Sequence, residues 1–435
     1  MSQLLIYTPK LTARISYVFS LFFESLIQTS FKVTTDINEY TNYSGPRLNY
    51  SGKTIATGEV FIHYKELLFD KGVKSQNITV SEWDGLKIFY RSEGTLPFDV
   101  FAASFYLVTR YEEYLPFEGD KHKRFRPTDS LALKNKFIDV PIVNLWAAKL
   151  KDALKKAYQQ LEITEGTYTF TPTIDVDVAY AHKGRSLEVT LGAYLKALLK
   201  FDFEAIGNKA KTLMGSRPDE YDTYEYQQEI FKKNNVNPIY FFLASKSRST
   251  YDKNIAVDGK LFEELVEKVS TYADVGIHPS YQSLNDKDTV GKEIKVVADI
   301  TGEKIVKSRQ HFLRITLPDT YRCLASLGIT DEYSMGFAAC PGFRASICTP
   351  FYFYDLQKEE VLPIKLHPTI VMDGTLNEYI HVTPDEAIAL TLKLAQQVKQ
   401  CKGEFVSIWH NDTLNDMGKW KGWKRVFETV VAEAK

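Results

Sequence analysis

Six residues that could bind a metal or transfer a proton stand at the ends of strand-like runs: Asp175, Asp177, His278, Arg309, His311 and His410. Carboxylates and imidazoles bind divalent cations, and the same groups accept or donate protons during hydrolysis. A guanidinium beside a carboxylate holds it in one geometry through a planar fork of N–H donors. These residue types indicate a site for metal binding or acid–base chemistry.

The elements that would position these residues alternate regularly from Tyr168 onward. The sequence predicts strands over residues 168–176, 238–243, 274–278, 304–308 and 405–410. It predicts helices over residues 224–234, 260–273, 289–300, 319–327 and 384–401. This alternation is typical of parallel strands in an α/β barrel or an open sheet. Because chemistry in such folds gathers beyond the carboxyl ends of the strands, we expect the six residues to converge.

The spacing of Asp175 and Asp177 has a physical meaning. Residues two apart on an extended strand point to the same side, so both carboxylates can enter one pocket. One of them can bind a cation while the other stays within reach of a water molecule. The alternative is a pair of loop carboxylates that cap the next element.

The histidines also have structural explanations. A lone residue such as His278 is often a hydrogen-bonded core histidine, and His311 could be exposed at a strand end. The position of His278, after a strand and before a polar turn, favours a ligand role. His410 closes the hydrophobic run 405–410, and its ordinary pKa suits an acid near neutral pH. Trp409 could pack on a sugar ring or belong to the core.

Taken in this order, the motifs resemble the polysaccharide deacetylase family with NodB homology, carbohydrate esterase family 4, over roughly residues 168–435. The run 173–177 resembles the first family motif, Thr-Phe-Asp-Asp, in a spaced variant. The resemblance implies that Asp175 is the general base, that Asp177 and His278 bind the metal, and that His410 is the general acid. It also implies that Arg309 orients Asp175, and it predicts a distorted or incomplete (β/α) barrel.

The chain departs from the family at the second motif, His-x-x-x-His. His278 matches the first histidine, but Gln282 stands four residues later. Because zinc in catalytic sites takes three protein ligands, we predict that His311 replaces the missing imidazole. The expected cofactor is a divalent metal, zinc first. Further family-like runs include Arg344, a possible substrate contact, and the Asp373-Gly374 pair, which could equally be a turn. Asn411 and Asp412 could orient the ring of His410.

Residues ahead of this region resemble the accessory domain of divergent bacterial members of the same family. The recognisable piece runs from Phe98-Asp99 to Arg110-Tyr111-Glu112-Glu113-Tyr114. We therefore predict an N-terminal accessory α/β domain over residues 1–165 and a deacetylase-like catalytic domain over residues 166–435.

Composition and charge exclude several classes of protein. The chain of 435 residues has a formal net charge of -1, so no overall basic field exists to recruit nucleic acid or an anionic membrane. Its four cysteines are scattered, which suits a reducing compartment. The apolar run 15–27 has helical spacing and fits an amphipathic core helix, and no run is long enough to span a membrane. We expect a cytoplasmic protein.

The implied reaction is the removal of acetyl groups, N-acetyl foremost, from a bacterial polysaccharide or its sugar precursor. One alternative is a catalytically degenerate module that binds glycan or a partner in a surface-polysaccharide pathway. Gln282 favours that alternative, whereas the retained Asp175, Arg309 and His410 argue against it. Another alternative is a metal hydrolase that acts on a different amide. The expected partner is an acetylated glycan, and the oligomeric state is left open.

Overall fold

The computed structural model describes residues 3–185 and 203–435, together with residues 191, 195, 198 and 199; of residues 203–206 and 208 it describes only the backbone. The first part of the chain forms a parallel sheet of four strands in the order β2-β1-β3-β4. These strands are β1 (Leu4–Tyr7), β2 (Phe31–Thr34), β3 (Arg47–Ser51) and β4 (Val60–His63). A short antiparallel pair follows, β5 (Ser81–Trp83) and β6 (Leu86–Ile88).

The first part of the chain also contains helices. They are α1 (Ala13–Ser20), α2 (Ile37–Asn42), α3 (Val100–Val108), α4 (Leu131–Lys134) and α5 (Ile142–Ala157). The hydroxyl of Thr12 caps α1 by accepting from the N–H of Ile15. The helix then widens into a π-helical turn over Leu21–Leu26, and Phe22 packs on Phe101 of α3 with ring centroids 5.0 Å apart. The predicted amphipathic core helix is thus confirmed.

The second part is built on a sheet of nine strands. They are β7 (Thr169–Val176), β8 (Ile239–Phe242), β9 (Asp274–Ile277), β10 (Lys307–Ser308), β11 (Asp331–Glu332), β12 (Phe351–Asp355), β13 (Glu360–Leu366), β14 (Thr369–Met372) and β15 (Glu404–His410). The order is β12-β13-β11-β10-β9-β8-β7-β15-β14, and only the β12–β13 pair is antiparallel.

The helices of the second part include α6 (Phe203–Leu213), α7 (Tyr224–Asn234), α8 (Lys260–Ser270), α9 (Lys287–Thr301), α10 (Asp319–Ser326), α11 (Pro384–Gln400) and α12 (Trp423–Glu433). The five predicted strands and five predicted helices of this region are therefore confirmed in place. Residues 168–176 and 405–410 lie in one sheet, because β7 and β15 pair in parallel with Asp175 opposite His410.

The nine-stranded sheet curls on itself. His367, which follows β13, places Nδ1 2.6 Å from Oε2 of Glu404 at the start of β15. Five strands lie between β13 and β15 in the sheet, a distance of roughly 29 Å if it were flat. The sheet must therefore bend toward a barrel, yet its edge strands β12 and β14 do not pair within the described part of the chain. The mixed α/β class is confirmed, and the deacetylase type of barrel stays a prediction.

Buried ion pairs join the two parts of the chain. Arg344, from the second part, is buried and pairs with Glu113 at 2.6 Å, and Glu113 also accepts from Arg110 at 2.7 Å. Arg110 has a left-handed backbone (φ 54°) that ends the helical run begun by α3. The possibility that Arg344 contacts substrate is wrong, because its guanidinium is buried and forms an ion pair with Glu113. The domain boundary near residue 165 stays a prediction.

Among the described residues, no helix combines the length and the apolar character that crossing a membrane requires.

Candidate metal centre

The six residues singled out by their types meet at one edge of the nine-stranded sheet. Asp175 lies on β7 and Asp177 just beyond it, while His278 follows β9. The other three are Arg309 after β10, His311 in the next turn, and His410 at the end of β15. The strands are parallel neighbours, so their carboxyl ends bring these side chains together, as expected.

Asp177, His278 and His311 form a compact group of potential ligands. Nε2 of His278 lies 3.1 Å from Oδ1 of Asp177, and Nε2 of His311 lies 3.3 Å from its Oδ2. One ligand atom from each residue can be chosen so that all three lie within 4.8 Å of one another. His278 and His311 are buried, so His311 is not the exposed strand-end residue that the sequence left possible.

Nδ1 of each imidazole lies within hydrogen-bonding distance of an oxygen atom. Nδ1 of His278 lies 2.6 Å from the carbonyl oxygen of Arg309, which can only accept a hydrogen bond, so the ring carries its proton on Nδ1. Nδ1 of His311 lies 3.1 Å from Oδ1 of Asp252. Carbonyl and carboxylate partners of this kind fix the tautomer and direction of ligating histidines. Both Nε2 atoms are thereby aimed at Asp177.

This arrangement fits a divalent cation. Oδ1 of Asp177 is buried and has no hydrogen bond to any residue that the structure describes, although Nε2 of His278 lies close to it. A buried polar atom left unpaired in this way needs an explanation such as an ion. Two nitrogens and one carboxylate oxygen are also the ligand number and type of catalytic zinc sites.

Asp175 is fixed beside this group by Arg309. Nη1 of Arg309 donates to Oδ1 of Asp175 at 2.8 Å, and the guanidinium carbon lies 4.7 Å from the ring centre of Phe241. Gly276 makes room for that ring, because a Cβ there would lie 2.6 Å from Phe241 Cδ1. The second oxygen of Asp175, Oδ2, faces Nε2 of His278 at 3.9 Å.

His410 stands on the opposite side of Asp177 from His278 in the strand order. Its Nε2 lies 3.9 Å from Oδ2 of Asp177, and its Nδ1 lies 2.8 Å from Oδ1 of buried Asp373. Asp373, rather than Asn411 or Asp412, therefore orients the ring. Asn411 instead donates to backbone carbonyls, including that of Val178 at 3.0 Å.

The charges of these groups shift their pKa values. Burial would raise the pKa of Asp177, but the imidazole of His311 outweighs burial and holds that pKa well below its usual range. Burial would lower the pKa of His311, yet Asp177 and Asp252 raise it to about 9. Burial opposes the charge on His410 too, but the carboxylate of Asp373 dominates and places its pKa well above the ordinary value.

The group opens into a cavity of about 630 Å³. Its aromatic and apolar walls are formed by Tyr221, Phe312, Leu313, Ala338, Met372, Tyr379, Met417 and Trp420. Charged groups at the wall include Arg124, Glu378, Asp412 and Lys419. A cavity that combines apolar walls with convergent polar groups is a usual form of a small-molecule site.

The roles of two residues of the site escaped the sequence reasoning. Asp252 lies in a polar loop that carries no motif, so nothing in the sequence marked it. Asp373 was noted only as part of a family-like run or a turn, although it directly follows the buried strand β14 and the strand-end signal that marked His278 applies to it as well. Gln282 is exposed and lies outside the cavity wall, and Trp409 is buried in the core.

Comparison with protein families gives one match. Residues 4–159 match the model of a family of unknown function, DUF7033, which is about a third of the chain and ends before β7. No curated protein sequence matches the chain.

Several solved structures are similar to part of the chain. One, from Mycobacterium smegmatis and assigned only provisionally as a polysaccharide deacetylase, has 15% identity and a TM-score of 0.41, covering 62% of this chain and 85% of its own. The PuuE allantoinase has 11% identity and a TM-score of 0.38, covering 60% and 83%. The polysaccharide deacetylase Bc1974 from Bacillus cereus has 12% identity and a TM-score of 0.28, covering 62% and 87%. Similarities this low transfer neither an activity nor catalytic residues to this chain.

Proposed function

We propose that this protein is a metal-dependent hydrolase that removes acetyl groups, N-acetyl foremost, from a glycan. One observation carries the proposal. Three ligand-type side chains, an arginine-held carboxylate and a carboxylate-held imidazole converge on one cavity. A non-catalytic binding site has little use for a base, an acid and a separate residue to hold each of them.

Asp177, His278 and His311 would hold the cation, with zinc as the first choice because of their nitrogen and oxygen donors. When bound, such an ion lowers the pKa of a water molecule and polarises a carbonyl group.

Asp175 is the proposed base. Arg309 occupies Oδ1 at 2.8 Å, while Oδ2 is turned toward the imidazole of His278 and lines the cavity. The arginine fork fixes the direction of the carboxylate, so Oδ2 is positioned to take a proton from a water molecule that attacks an acetyl carbonyl.

His410 is the proposed acid. Asp373 accepts from Nδ1, so Nε2 is the nitrogen directed at the cavity. The carboxylate of Asp373 outweighs burial, raises the pKa of the imidazole and so favours its protonated form. Nε2 can therefore deliver a proton to the nitrogen that leaves when an amide bond breaks.

The residues of the cavity wall favour an acetylated sugar as the substrate. Tyr379 and Trp420 offer aromatic faces, and the ion pair of Glu378 with Lys419 supplies polar groups at the rim. Aromatic rings with polar neighbours suit a ligand that has both apolar C–H faces and hydroxyl groups.

The test is acetate release from a panel of N- and O-acetylated oligosaccharides. Metal-stripped protein, protein reloaded with zinc, and zinc-loaded His410→Ala are compared. His381→Ala is the matched control, because His381 is exposed and its ring hydrogen-bonds to the carbonyl of Asn377. We expect turnover by the zinc-loaded wild type and the control, and a rate roughly two to four powers of ten lower for His410→Ala.

Zinc binding without turnover of any acetylated glycan, but with glycan affinity, would favour the degenerate binding module. Turnover of a non-sugar amide alone would keep the chemistry and replace the substrate class.

A further inference from the structure

A loop of the first part of the chain, residues 117–126, reaches the candidate site. It lies within the stretch that matches the family of unknown function. Arg124 on this loop is buried and lines the same cavity as Asp175 and His410. Its contacts show what it does there.

The guanidinium of Arg124 joins three segments. Nε donates to Oδ2 of Asp120 on the same loop at 2.8 Å. Nη1 donates to the carbonyl oxygen of Phe312 at 2.7 Å, and Nη2 donates to the hydroxyl of Tyr379 at 3.3 Å. The planar guanidinium uses its N–H donors for these three partners. Arg124 therefore links three segments of the chain, and its charge is paired with the carboxylate of Asp120.

The Phe312 carbonyl belongs to a strained turn that begins at His311. Phe312 and Leu313 have φ values of 62° and 52°, which bulky side chains rarely adopt. Such backbone persists only where its surroundings hold it. The 117–126 loop is a large part of those surroundings: the ring of His122 packs 4.8 Å from that of Phe312, and Arg314 donates to the carbonyl of His122 at 3.0 Å.

We propose that Arg124 is a positioning residue for His311, and that the 117–126 loop thereby completes the site. Arg124 holds the backbone of the turn, while Asp252 holds Nδ1 of the ring at 3.1 Å. The two restraints together aim Nε2 of His311 at Asp177. This inference rests on the proposed metal site of Asp177, His278 and His311.

The test is the affinity of the full-length, metal-stripped protein for zinc, measured by calorimetry. The variants are Arg124→Met and Arg124→Lys. Arg126→Met is the matched control, because Arg126 lies on the same loop, is partly exposed and pairs with Asp129 and Glu118. Tyr379→Phe removes only the contact at 3.3 Å and leaves the bond to the Phe312 carbonyl.

Loss of support for a ligand of this kind typically weakens metal binding roughly 10- to 100-fold, and we expect that loss for Arg124→Met. Arg124→Lys should lose several-fold, because one ammonium cannot reproduce the fork. Arg126→Met and Tyr379→Phe should bind zinc as the wild type does. The visible spectrum of cobalt-loaded Arg124→Met should also change, since it reports the ligand geometry and not the stability of the fold.

Wild-type zinc affinity in a folded Arg124→Met protein overturns the inference while leaving the proposed function intact. If Arg124→Met does not fold, Arg124→Lys decides: unchanged affinity overturns the inference, and a several-fold loss supports it. A wild type that binds no zinc removes both the inference and the metal-dependent function.

Discussion

Asp373 holds His410 from two directions: its carboxylate accepts from ring Nδ1 at 2.8 Å and from the backbone N–H of His410 at 2.9 Å. The hydroxyl of Thr413 donates to the same carboxylate at 2.6 Å. The negative charge stabilises the protonated imidazole, and the hydrogen bonds fix its direction. His410, the proposed acid, therefore depends on Asp373, which does not itself transfer the proton.

Asp373→Asn should lower the pKa of His410, because the amide carries no charge. Activity that needs protonated His410 is lost as pH rises through its pKa, so the high-pH limb of kcat/KM should move to lower pH in the variant. The measurement is acetate release across neutral and alkaline pH. Asp331→Asn is the matched control, because Asp331 makes a similar contact with His367, 3.0 Å away from Nε2. A high-pH limb that stays in place would show that Asp373 does not govern the acid.

Gln282→His should leave zinc affinity unchanged, even though it recreates the family motif in sequence. The side chain of Gln282 is exposed and lies outside the cavity wall, whereas Nε2 of His311, the proposed third ligand, lies 3.3 Å from Oδ2 of Asp177. Calorimetric titration with zinc checks this expectation. A marked gain in affinity would mean that His311 is not the replacement ligand.

Glu113→Gln should destabilise the fold by about 3–5 kcal/mol, because it leaves the buried guanidinium of Arg344 without a countercharge. Chemical denaturation gives the free energy of unfolding. Glu118→Gln is the control, since Glu118 is 83% exposed and should change little. The double variant Glu113→Gln/Arg344→Met should recover part of the loss; no recovery would argue against a specific pair.

Because His367 loses its proton as pH rises, the free energy of unfolding should fall over that range. Burial lowers its pKa, but Asp331 and Glu404 outweigh burial and raise it to about 9, above the ordinary value of about 6.5. The stabilisation, roughly 3 kcal/mol, is complete below about pH 6.5 and is lost as pH rises to about 9. Urea midpoints measured over this range should fall less in His367→Gln, which is less stable at neutral pH. Equal slopes in variant and wild type would reject this role.

Much of the sheet could be predicted from the sequence because its central strands are buried on both faces and read as short apolar runs. β8 and β15 are examples, with every residue or nearly every residue buried. β13 was missed because Pro363 and alternating exposed residues interrupt its pattern. β11 has two residues, too few to show any periodicity.

The candidate site could be predicted where its residues follow strands, since parallel strands bring their carboxyl ends to one edge. His311 could be predicted by the same argument, because it follows β10 in the chain. Asp252 and Arg124 could not be predicted, because loops place them through contacts between segments far apart in the chain. Such contacts leave no local pattern.

The central claim is that Asp177 holds the metal and Asp175 transfers the proton. The most direct test measures zinc content and acetate release together in Asp175→Asn and Asp177→Asn. We predict that Asp175→Asn keeps its zinc and loses roughly two to four powers of ten in rate, while Asp177→Asn loses both. Wild-type acetate release in Asp175→Asn, or full zinc content in Asp177→Asn, would contradict the account.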